Sequence, residues 1–477
     1  MTRASEIALI AAFCLAAALR VFIFSAAFPF FNNVDEQAHV DLVLKYARGY
    51  WPEQPIERFD PESARLIASY GSPEYMDAAA NGALAERIES WTREYDHEAA
   101  SPPVYYAIAG LWFDLGRALG LREGALLYWI RFLNVPLIAL TVFCAYLFCR
   151  DYYPGRIDLR LGVPALAAFV PQDVFYTVNS DVLSPLLFAG SLMLLWRWRR
   201  RDPPGLAFSA VVGLSVAMTL LVKLTNIALL VVFLSLLVLE IRRSRREGGS
   251  GNLWRPASAA LMTCALPVAV FLGRNYALFG DPTGTSAKVA FLGWSPRPLG
   301  TYLSHPIFTV RGFWTFATDL IMTFWRGELV WHSRRLASPL ADDFCAISSI
   351  VFGIGAALAW KARRTAARYD PTVHLAVWAS VVLSAACLAY LSVYYEYGTS
   401  FYPSQAAPFF ISGRLIAGMM IPFLVLYVDG AAHPVGPFAR VAGPLAVIAL
   451  TAAILTVSEI ALSRDVFASS YNWFHLR

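Results

Sequence analysis

Two adjacent carboxylates follow the first apolar segment of the chain, in the sequence V-D-E-Q-A-H at 34–39. An acidic pair this close to a membrane span is costly unless it has a role. On a helix, Asp35 and His39 would share one face, because residues four apart are neighbours. The pattern D-E-x-x-H differs from the zinc signature H-E-x-x-H in its first ligand. We therefore interpret Asp35, Glu36 and His39 as candidates for acid–base chemistry. No cofactor is certain, and a divalent cation (Mg or Mn) on Asp35 and Glu36 stays open.

The same residues also fit the start of a helix. Asn32, Asn33 or Asp35 could cap a helix that begins near Glu36, and acidic groups are favourable at that positive end of the helix dipole. Composition alone favours this structural explanation over a catalytic one.

Further polar residues stand at the ends of later apolar segments. Tyr105 and Tyr106 close the sequence S-P-P-V-Y-Y, Asp181 ends N-S-D, and L-V-K-L-T-N contains Lys223 and Asn226. Each has an ordinary explanation as a turn, a cap or a snorkelling lysine. Together they place acids and a cation on one side of one bundle.

The elements that must position these residues are membrane spans. The chain has 477 residues, of which 57% are hydrophobic and 15% charged, and its mean hydropathy is +0.51. Apolar runs of about 17–25 residues can cross a bilayer, and they must be helices because lipid offers the backbone no partners. We predict an all-α polytopic membrane protein of about eleven transmembrane helices. The predicted spans are 7–24, 125–149, 161–176, 182–196, 206–222, 227–241, 257–277, 344–360, 373–394, 415–428 and 441–461.

The basic residues predict the orientation of these spans. The net charge of +5 does not indicate a nucleic-acid partner, because the arginines cluster at span ends. Four basic clusters would all be cytoplasmic by the positive-inside rule, provided that 104–120 is an interfacial or re-entrant helix. The N-terminus is then inside and the C-terminus outside. The clusters are Arg150, Arg156 and Arg160; Arg197, Arg199, Arg200 and Arg201; Arg242, Arg243, Arg245 and Arg246; and Lys361, Arg363, Arg364 and Arg368.

The chain is predicted to be a single integral-membrane bundle over 1–477. Its first external loop spans 29–124 and a large external loop spans 280–343, both with interfacial helices. A cleaved signal peptide is a less favoured alternative for the first span, and Asp35 is external in either case. We expect a multi-pass protein of the inner (plasma) membrane with its active site on the external, periplasmic face.

The motifs resemble the GT-C superfamily of membrane glycosyltransferases, in particular the bacterial branch whose first loop carries D-E-x-x-H. The resemblance rests on V-D-E-Q-A-H and P-P-V-Y-Y. It continues with N-S-D at 179–181, Lys223, R-N-Y-A-L-F-G-D-P at 274–282 and S-G-R at 412–414. Relatives often have Gly-Arg-Tyr at the last motif, whereas this chain has Leu415 in the third place. This departure puts any tyrosine role there in doubt.

The resemblance implies a reaction: an inverting transfer of a sugar from a polyprenyl-phosphate carrier to a glycan, lipid or protein acceptor outside the membrane. Asp35 is then our choice for the general base, with Glu36 and His39 orienting the acceptor or the base. Two alternatives are a transporter or flippase of polyprenyl-linked glycans, and a polymerase or ligase of another fold. Among the proposed substrate-binding residues, Asp181 would hold sugar hydroxyls, and Lys223 and three arginines would bind phosphate. The full set is Asp181, Lys223, Asn226, Arg274, Arg326, Arg414, Tyr105 and Tyr106.

Overall fold

Helices make up most of the computed structural model, which describes residues 2–31, 35–72, 82–201, 204–246, 253–331, 334–363, 371–400, 402–433 and 442–475. Asn32, Asn33, Arg364 and Arg368 lie outside the described residues. The α-helices are α1 (Arg3–Ala27), α2 (Glu36–Ala47), α3 (Pro61–Tyr70), α4 (Leu84–Arg93), α5 (Val104–Ala118), α6 (Glu123–Phe132), α7 (Asn134–Tyr152), α8 (Ile157–Phe169), α9 (Ser184–Arg199), α10 (Leu206–Leu220), α11 (Ile227–Arg246), α12 (Trp254–Phe279), α13 (Thr285–Phe291), α14 (Val310–Arg326), α15 (Pro339–Arg363), α16 (Pro371–Tyr394), α17 (Met420–Ala431) and α18 (Ala442–Phe467).

Short 3-10 turns and two-residue strands complete the architecture. The strands form three antiparallel pairs: β1 (Glu57–Arg58) with β2 (Tyr95–Asp96), β3 (Ser295–Pro296) with β6 (Tyr395–Glu396), and β4 (Val330–Trp331) with β5 (Arg334–Arg335). The 3-10 turns are Asp173–Phe175, Ser180–Leu183, Leu224–Asn226, Leu299–Ser304, Pro306–Phe308, Gly413–Met419 and Trp473–His475. The protein is therefore an all-α polytopic membrane protein, as the composition predicts.

Eight helical stretches in the described part are long and apolar enough to cross a membrane. All eleven predicted spans fall on helices: eight correspond to these stretches, and the other three fall on α8, α9 and α10, which have 13, 16 and 15 residues. The predicted boundaries are wrong where prolines intervene. Val170 precedes Pro171 and is extended, so α8 ends before the predicted end of its span. Pro185 occupies the first turn of α9, where proline is favoured.

The described ion pairs give the bundle two distinct ends. Asp429, at the end of α17, accepts hydrogen bonds from Arg156 Nη1 at 2.7 Å and Arg363 Nη1 at 2.6 Å. Glu6 on α1 pairs with Arg160 on α8 at 3.2 Å. These residues come from regions predicted to be cytoplasmic, so the structure brings them together at one end. The side of the membrane on which that end lies stays a prediction.

Helix α5 belongs to the opposite end. Its first turn contacts α2 through a hydrogen bond between the Tyr106 hydroxyl and His39 Nδ1 at 2.7 Å. Just beyond its last turn, Glu123 pairs with Arg65 on α3 at 2.7 Å. The first turn of α5 and the start of α6, which follows it, thus both contact the rest of the first external loop, which fits the prediction of a helix that does not cross the membrane. Leu111 and Leu119 on this helix are 73% and 63% exposed, as an interfacial helix requires.

The core of the bundle surrounds the stretch Gly413–Ala431, of which 89% is buried. α17, which forms most of this stretch, packs against α8, α9, α15 and α16. α1 is held to the bundle by Arg20, whose guanidinium contacts Ala168 O at 3.0 Å and Glu459 Oε1 on α18 at 3.1 Å.

Candidate active site

Asp35 lies in a short left-handed turn between α1 and α2. Its backbone φ is 68°, and its side chain makes no capping hydrogen bond to the helix that follows. Aspartate is one of the few residues that adopt this conformation readily. The explanation of Asp35 as a helix cap is therefore not supported, and the turn leaves its carboxylate for other partners.

Glu36 is a buried structural acid. Its Oε1 accepts hydrogen bonds from Arg131 Nε at 2.7 Å and the backbone amide of Val178 at 2.9 Å. Its Oε2 accepts from Arg131 Nη2 at 2.6 Å and the amide of Phe31 at 2.8 Å. Both oxygens are thus satisfied, and the side chain is fully buried. Glu36 joins the first loop to α6, and the expectation that it could be a metal ligand does not fit this geometry.

Asp35 stands among positive charges. Its Oδ1 is 3.1 Å from His97 Nε2, and its Oδ2 accepts from Arg414 Nη2 at 3.2 Å. Burial alone would raise the pKa of Asp35, but the hydrogen bond from His97 and the charges of Lys288 and Arg414 hold that pKa well below its usual range. The lowered pKa favours the ionised carboxylate. Since 18% of the side chain is exposed, this carboxylate is within reach of a substrate.

Arg414 links Asp35 to a second predicted acid. Its Nη1 is 3.3 Å from Asp181 Oδ2, and Lys223 Nζ is 3.3 Å from Asp181 Oδ1. The turn that holds Asp181 is fixed by the Asn179 side chain, which accepts the Asp181 amide at 2.9 Å. Asp35, Asp181, Lys223 and Arg414 come from four separate regions, and the fold brings them into one cluster as the sequence analysis proposed.

Three members of the cluster were not singled out from the sequence. His97 and Glu98 lie just before the S-P-P-V-Y-Y motif, separated from it by two alanines, and Lys288 lies on α13 in the large external loop. Lys288 Nζ pairs with Glu98, whose Oε2 accepts from the Ser101 hydroxyl at 2.5 Å. Burial alone would raise the pKa of Glu98, but the Lys288 charge lowers it well below its usual range. Their position a few residues before the double-proline motif was the signal that could have found His97 and Glu98. Lys288 had no comparable signal.

His39 borders the cluster as a neutral group. Its Nδ1 meets the Tyr106 hydroxyl at 2.7 Å, while its buried Nε2 has no hydrogen-bond partner in the described part of the chain. Burial lowers the pKa of His39 to about 4. Tyr105 is also fully buried, and its hydroxyl has no hydrogen-bond partner among the described residues. His39 and Tyr106 therefore form a buried, hydrogen-bonded pair at the border of the cluster.

Three predicted substrate ligands are engaged elsewhere. Arg274 lies over the Trp51 ring at 4.1 Å and donates to Pro52 O at 2.6 Å, so it holds the first loop to α12. Arg326 pairs with Asp342 on α15. Asn226 donates to the Ser184 hydroxyl and to Thr219 O, both at 3.0 Å. The structure gives each of these residues a role in joining elements, and it does not place Arg274 or Arg326 against Asp35.

A metal site, where one exists, has different ligands from those expected. Among the described residues, Asp35, His97 and Glu98 offer ligand atoms that all lie within 4.8 Å of one another. Two carboxylates and an imidazole suit Mn²⁺ or Zn²⁺, and the carboxylates suit Mg²⁺. Glu98, rather than Glu36, is therefore the acid that could share a cation with Asp35.

Comparison with known proteins identifies no family. No family model and no curated protein matches this chain. Among solved structures, it is similar to the archaeal oligosaccharyltransferase AglB from Archaeoglobus fulgidus, in complex with an inhibitory peptide and a dolichol-phosphate, with 11% identity and a TM-score of 0.43 over 94% of this chain and 56% of that chain. It is also similar to ArnT from Cupriavidus metallidurans bound to undecaprenyl phosphate, with 12% identity and a TM-score of 0.36 over 93% of this chain and 79% of that chain. The chain thus spans little more than half of AglB, and at these identities neither likeness assigns an activity.

Proposed function

We propose that this protein is an inverting glycosyltransferase of the GT-C type, which moves a sugar from a polyprenyl-phosphate carrier to a glycan, lipid or protein acceptor. The observation that carries the proposal is the ionised carboxylate of Asp35 among Arg414, Lys223 and Lys288 at one end of an apolar bundle. We place this end on the external face of the inner membrane.

Asp35 is the proposed general base. An acceptor hydroxyl must lose its proton as it bonds to the anomeric carbon, and a carboxylate within hydrogen-bond reach can take that proton. The low pKa makes Asp35 a weak base in the resting enzyme. In an oxocarbenium-like transition state the hydroxyl becomes acidic only as the new bond forms, so a weak base suffices. The negative charge of Asp35 also stabilises the positive charge that develops on the sugar.

The cations of the cluster are the proposed ligands of the leaving phosphate. A lipid phosphate whose tail stays in the bilayer carries its charge at the depth of the span ends, where Lys223 and Arg414 lie. Their present partners are Asp181 and Asp35, and Lys288 pairs with Glu98. Charge-assisted hydrogen bonds from these groups would stabilise the departing phosphate. Asp181 stays our candidate for binding sugar hydroxyls.

The observed contacts do not favour the transporter alternative. A flippase would need charged residues along a path through the membrane. Arg131 is committed to Glu36, and the Asn134 amide donates to Thr177 O at 2.8 Å and Phe175 O at 3.2 Å. These two polar residues hold the bundle to the first loop and to the turn that follows α8. They do not form a relay.

A divalent cation would bind at Asp35, His97 and Glu98, where it would neutralise charge next to the leaving phosphate. Binding there would require the Lys288 ammonium to leave Glu98. Loss of transfer on chelation, with recovery on adding Mg²⁺ or Mn²⁺, would support this site. Unchanged transfer after chelation would contradict it.

The test of the proposed function is donor dependence. The purified protein in liposomes is incubated with synthetic polyprenyl-phosphate sugars or with a diphosphate-linked oligosaccharide. We expect transfer from a monophosphate donor, and we expect Asp35→Asn to abolish it while the exposed control Asp343→Asn does not. A strict requirement for the diphosphate-linked oligosaccharide would instead support the polymerase or ligase alternative.

A further inference from the structure

A further acidic group, Glu328, lies near Arg414, with its Oε2 3.9 Å from Arg414 Nε. The segment that carries it is held by Gly327, whose φ of 79° and tight packing exclude a side chain, since a Cβ would lie 2.2 Å from Asp173 Oδ1. The next amide, that of Glu328, donates to Asp173 Oδ2 at 2.9 Å. The backbone therefore fixes where the Glu328 side chain begins.

The Glu328 carboxylate is nearly buried but retains hydrogen-bonding capacity. Its Oε2 accepts the Ser412 hydroxyl at 2.5 Å, and the Tyr402 hydroxyl also hydrogen-bonds to Glu328. An ionised carboxylate can accept about four hydrogen bonds. The side chain is 10% exposed and stands beside the proposed site, so it can accept a further donor from a substrate.

Arg414 has an unpaired donor that faces this carboxylate. Its two terminal nitrogens bond to Asp35 and Asp181, while its Nε makes no hydrogen bond within the described residues, although only 7% of the residue is exposed. Glu328 Oε2 is 3.9 Å from that Nε, which is too far for a direct hydrogen bond. A buried unpaired donor of this kind calls for a partner.

The donor at Arg414 Nε and the acceptor at Glu328 Oε2, 3.9 Å apart, are together suited to a hydroxyl group. A hydroxyl oxygen can accept from Arg414 Nε while its proton is donated to Glu328. A phosphate oxygen could accept from the arginine but has no proton for the carboxylate. The neighbouring carboxyl group of Asp173 would disfavour an anion further.

We propose that Glu328, together with Arg414 Nε, is the subsite that binds a hydroxyl of the sugar in the transfer reaction. The inference rests on the proposed function and adds a contact for the sugar, a hydroxyl bound between Glu328 and Arg414 Nε beside the proposed phosphate ligands Lys223 and Lys288. A donor sugar and an acceptor sugar offer the same hydroxyl chemistry, and the experiment separates the two sources.

The test combines a protein variant with deoxygenated sugars. Binding of bare polyprenyl phosphate, and of the same lipid carrying glucose, mannose or each monodeoxy analogue, is measured on the full-length protein in nanodiscs. We expect Glu328→Gln to bind the bare lipid like the wild type. We also expect it to lose roughly ten- to a hundredfold in affinity for the sugar-bearing lipid, the loss expected for a hydrogen bond to a charged group. The exposed acid Asp343 serves as the control, as Asp343→Asn.

The deoxy analogues guard against a variant that is merely misfolded. In the wild type, removal of one particular hydroxyl should weaken binding as much as Glu328→Gln does, and the same removal should have no further effect in the variant. A different outcome is that the deoxygenated lipid-linked sugars show no such coupling to Glu328→Gln while deoxygenated methyl glycosides, added as acceptors, do show it. In that case the subsite binds the acceptor sugar and the inference still holds.

Two results would overturn the inference, and they differ from failure of the proposed function. One is a Glu328→Gln variant that loses affinity equally for bare and for sugar-bearing lipid. The other is a deoxygenation that weakens binding by the same factor in the wild type and in Glu328→Gln. If the wild type binds no lipid phosphate at all, the proposed function fails first, and the sugar subsite falls with it.

Discussion

Asp35 and Glu36 are neighbours in sequence but have opposite environments. The left-handed turn at Asp35 directs the two side chains apart, so Glu36 enters a closed ion pair with Arg131 while Asp35 stays 18% exposed among cations. Asp35 is therefore available to act on a substrate. Glu36 stabilises the turn that presents it.

The first prediction separates these two roles. Asp35→Asn keeps the size of the side chain but removes its basicity, so transfer should fall by roughly two to four orders of magnitude, while the protein loses less thermal stability than Glu36→Gln does. Glu36→Gln leaves the Arg131 charge buried and uncompensated, which should destabilise the fold by about 3–5 kcal/mol. Turnover and melting temperature of both variants are the measurements. A stable, inactive Glu36→Gln beside an active Asp35→Asn would reverse the assignment.

The second prediction concerns pH. The pKa of His39 is lowered to about 4, so between pH 4 and 6.5 the unfolded chain binds a proton that the folded chain does not. The stability from the neutral His39 is therefore present above pH 6.5 and is lost as the pH falls toward 4, by up to about 3 kcal/mol. The lowered pKa of Asp35 adds stability that is lost only at still lower pH.

The melting temperature should therefore decline between pH 6.5 and 4 in the wild type, and less steeply in His39→Gln. Equal slopes for the two proteins would show that His39 does not titrate in this range.

At the scale of the elements, short turns rather than long helices carry the site. Asp181 lies in the 3-10 turn before α9, Lys223 lies just before the turn that leads into α11, and Arg414 lies in the turn before α17. α13 then covers this surface from the large external loop, where Phe291 stacks on the His97 ring at 5.9 Å between ring centres. The helices set the depth of the site, and the turns direct its side chains.

The third prediction tests α13. Lys288→Gln removes the ammonium next to Glu98 and Asp35, so affinity for polyprenyl phosphate should fall by roughly tenfold or more, whereas Lys288→Arg should retain most of it. Lys361→Gln, a change of an exposed lysine at the other end of the bundle, is the matched control. Binding is measured by titration with the synthetic lipid. Equal affinity in Lys288→Gln and the wild type would remove Lys288 from the phosphate site.

At the scale of the whole molecule, the question is which end of the bundle faces the cytoplasm. The ion pairs of Asp429 with Arg156 and Arg363 define one end, and the Asp35 cluster defines the other. The excess of arginine at the Asp429 end predicts that this end is cytoplasmic.

The fourth prediction follows from this orientation. In a variant without the six native cysteines, single cysteines at Gly120 and Gln405 should react with an impermeant thiol reagent added from outside. A cysteine at Arg200 should react only after the membrane is permeabilised. A protected cysteine at Gly120 would mean that α5 crosses the membrane and that the orientation of the later spans is wrong.

The sequence by itself determined the helices, the two ends and four residues of the site. Apolar length and the placement of arginines are local properties, so they predicted a polytopic bundle and put Asp35, Asp181, Lys223 and Arg414 at one end of it. Pro171, before which α8 ends short of its predicted span, and Pro185, in the first turn of α9, were also visible, although their effect on the boundaries was not anticipated.

Only the tertiary structure decided which of these residues meet. That Glu98 rather than Glu36 could share a cation with Asp35 depends on contacts between segments some 60 residues apart, and Lys288 and Glu328 enter from a loop that has no local signal. Arg274 has the same charge as Arg414 but contacts Trp51. A side chain's charge is a property of its type, whereas its partners depend on how distant turns pack, and that packing is set by the whole bundle.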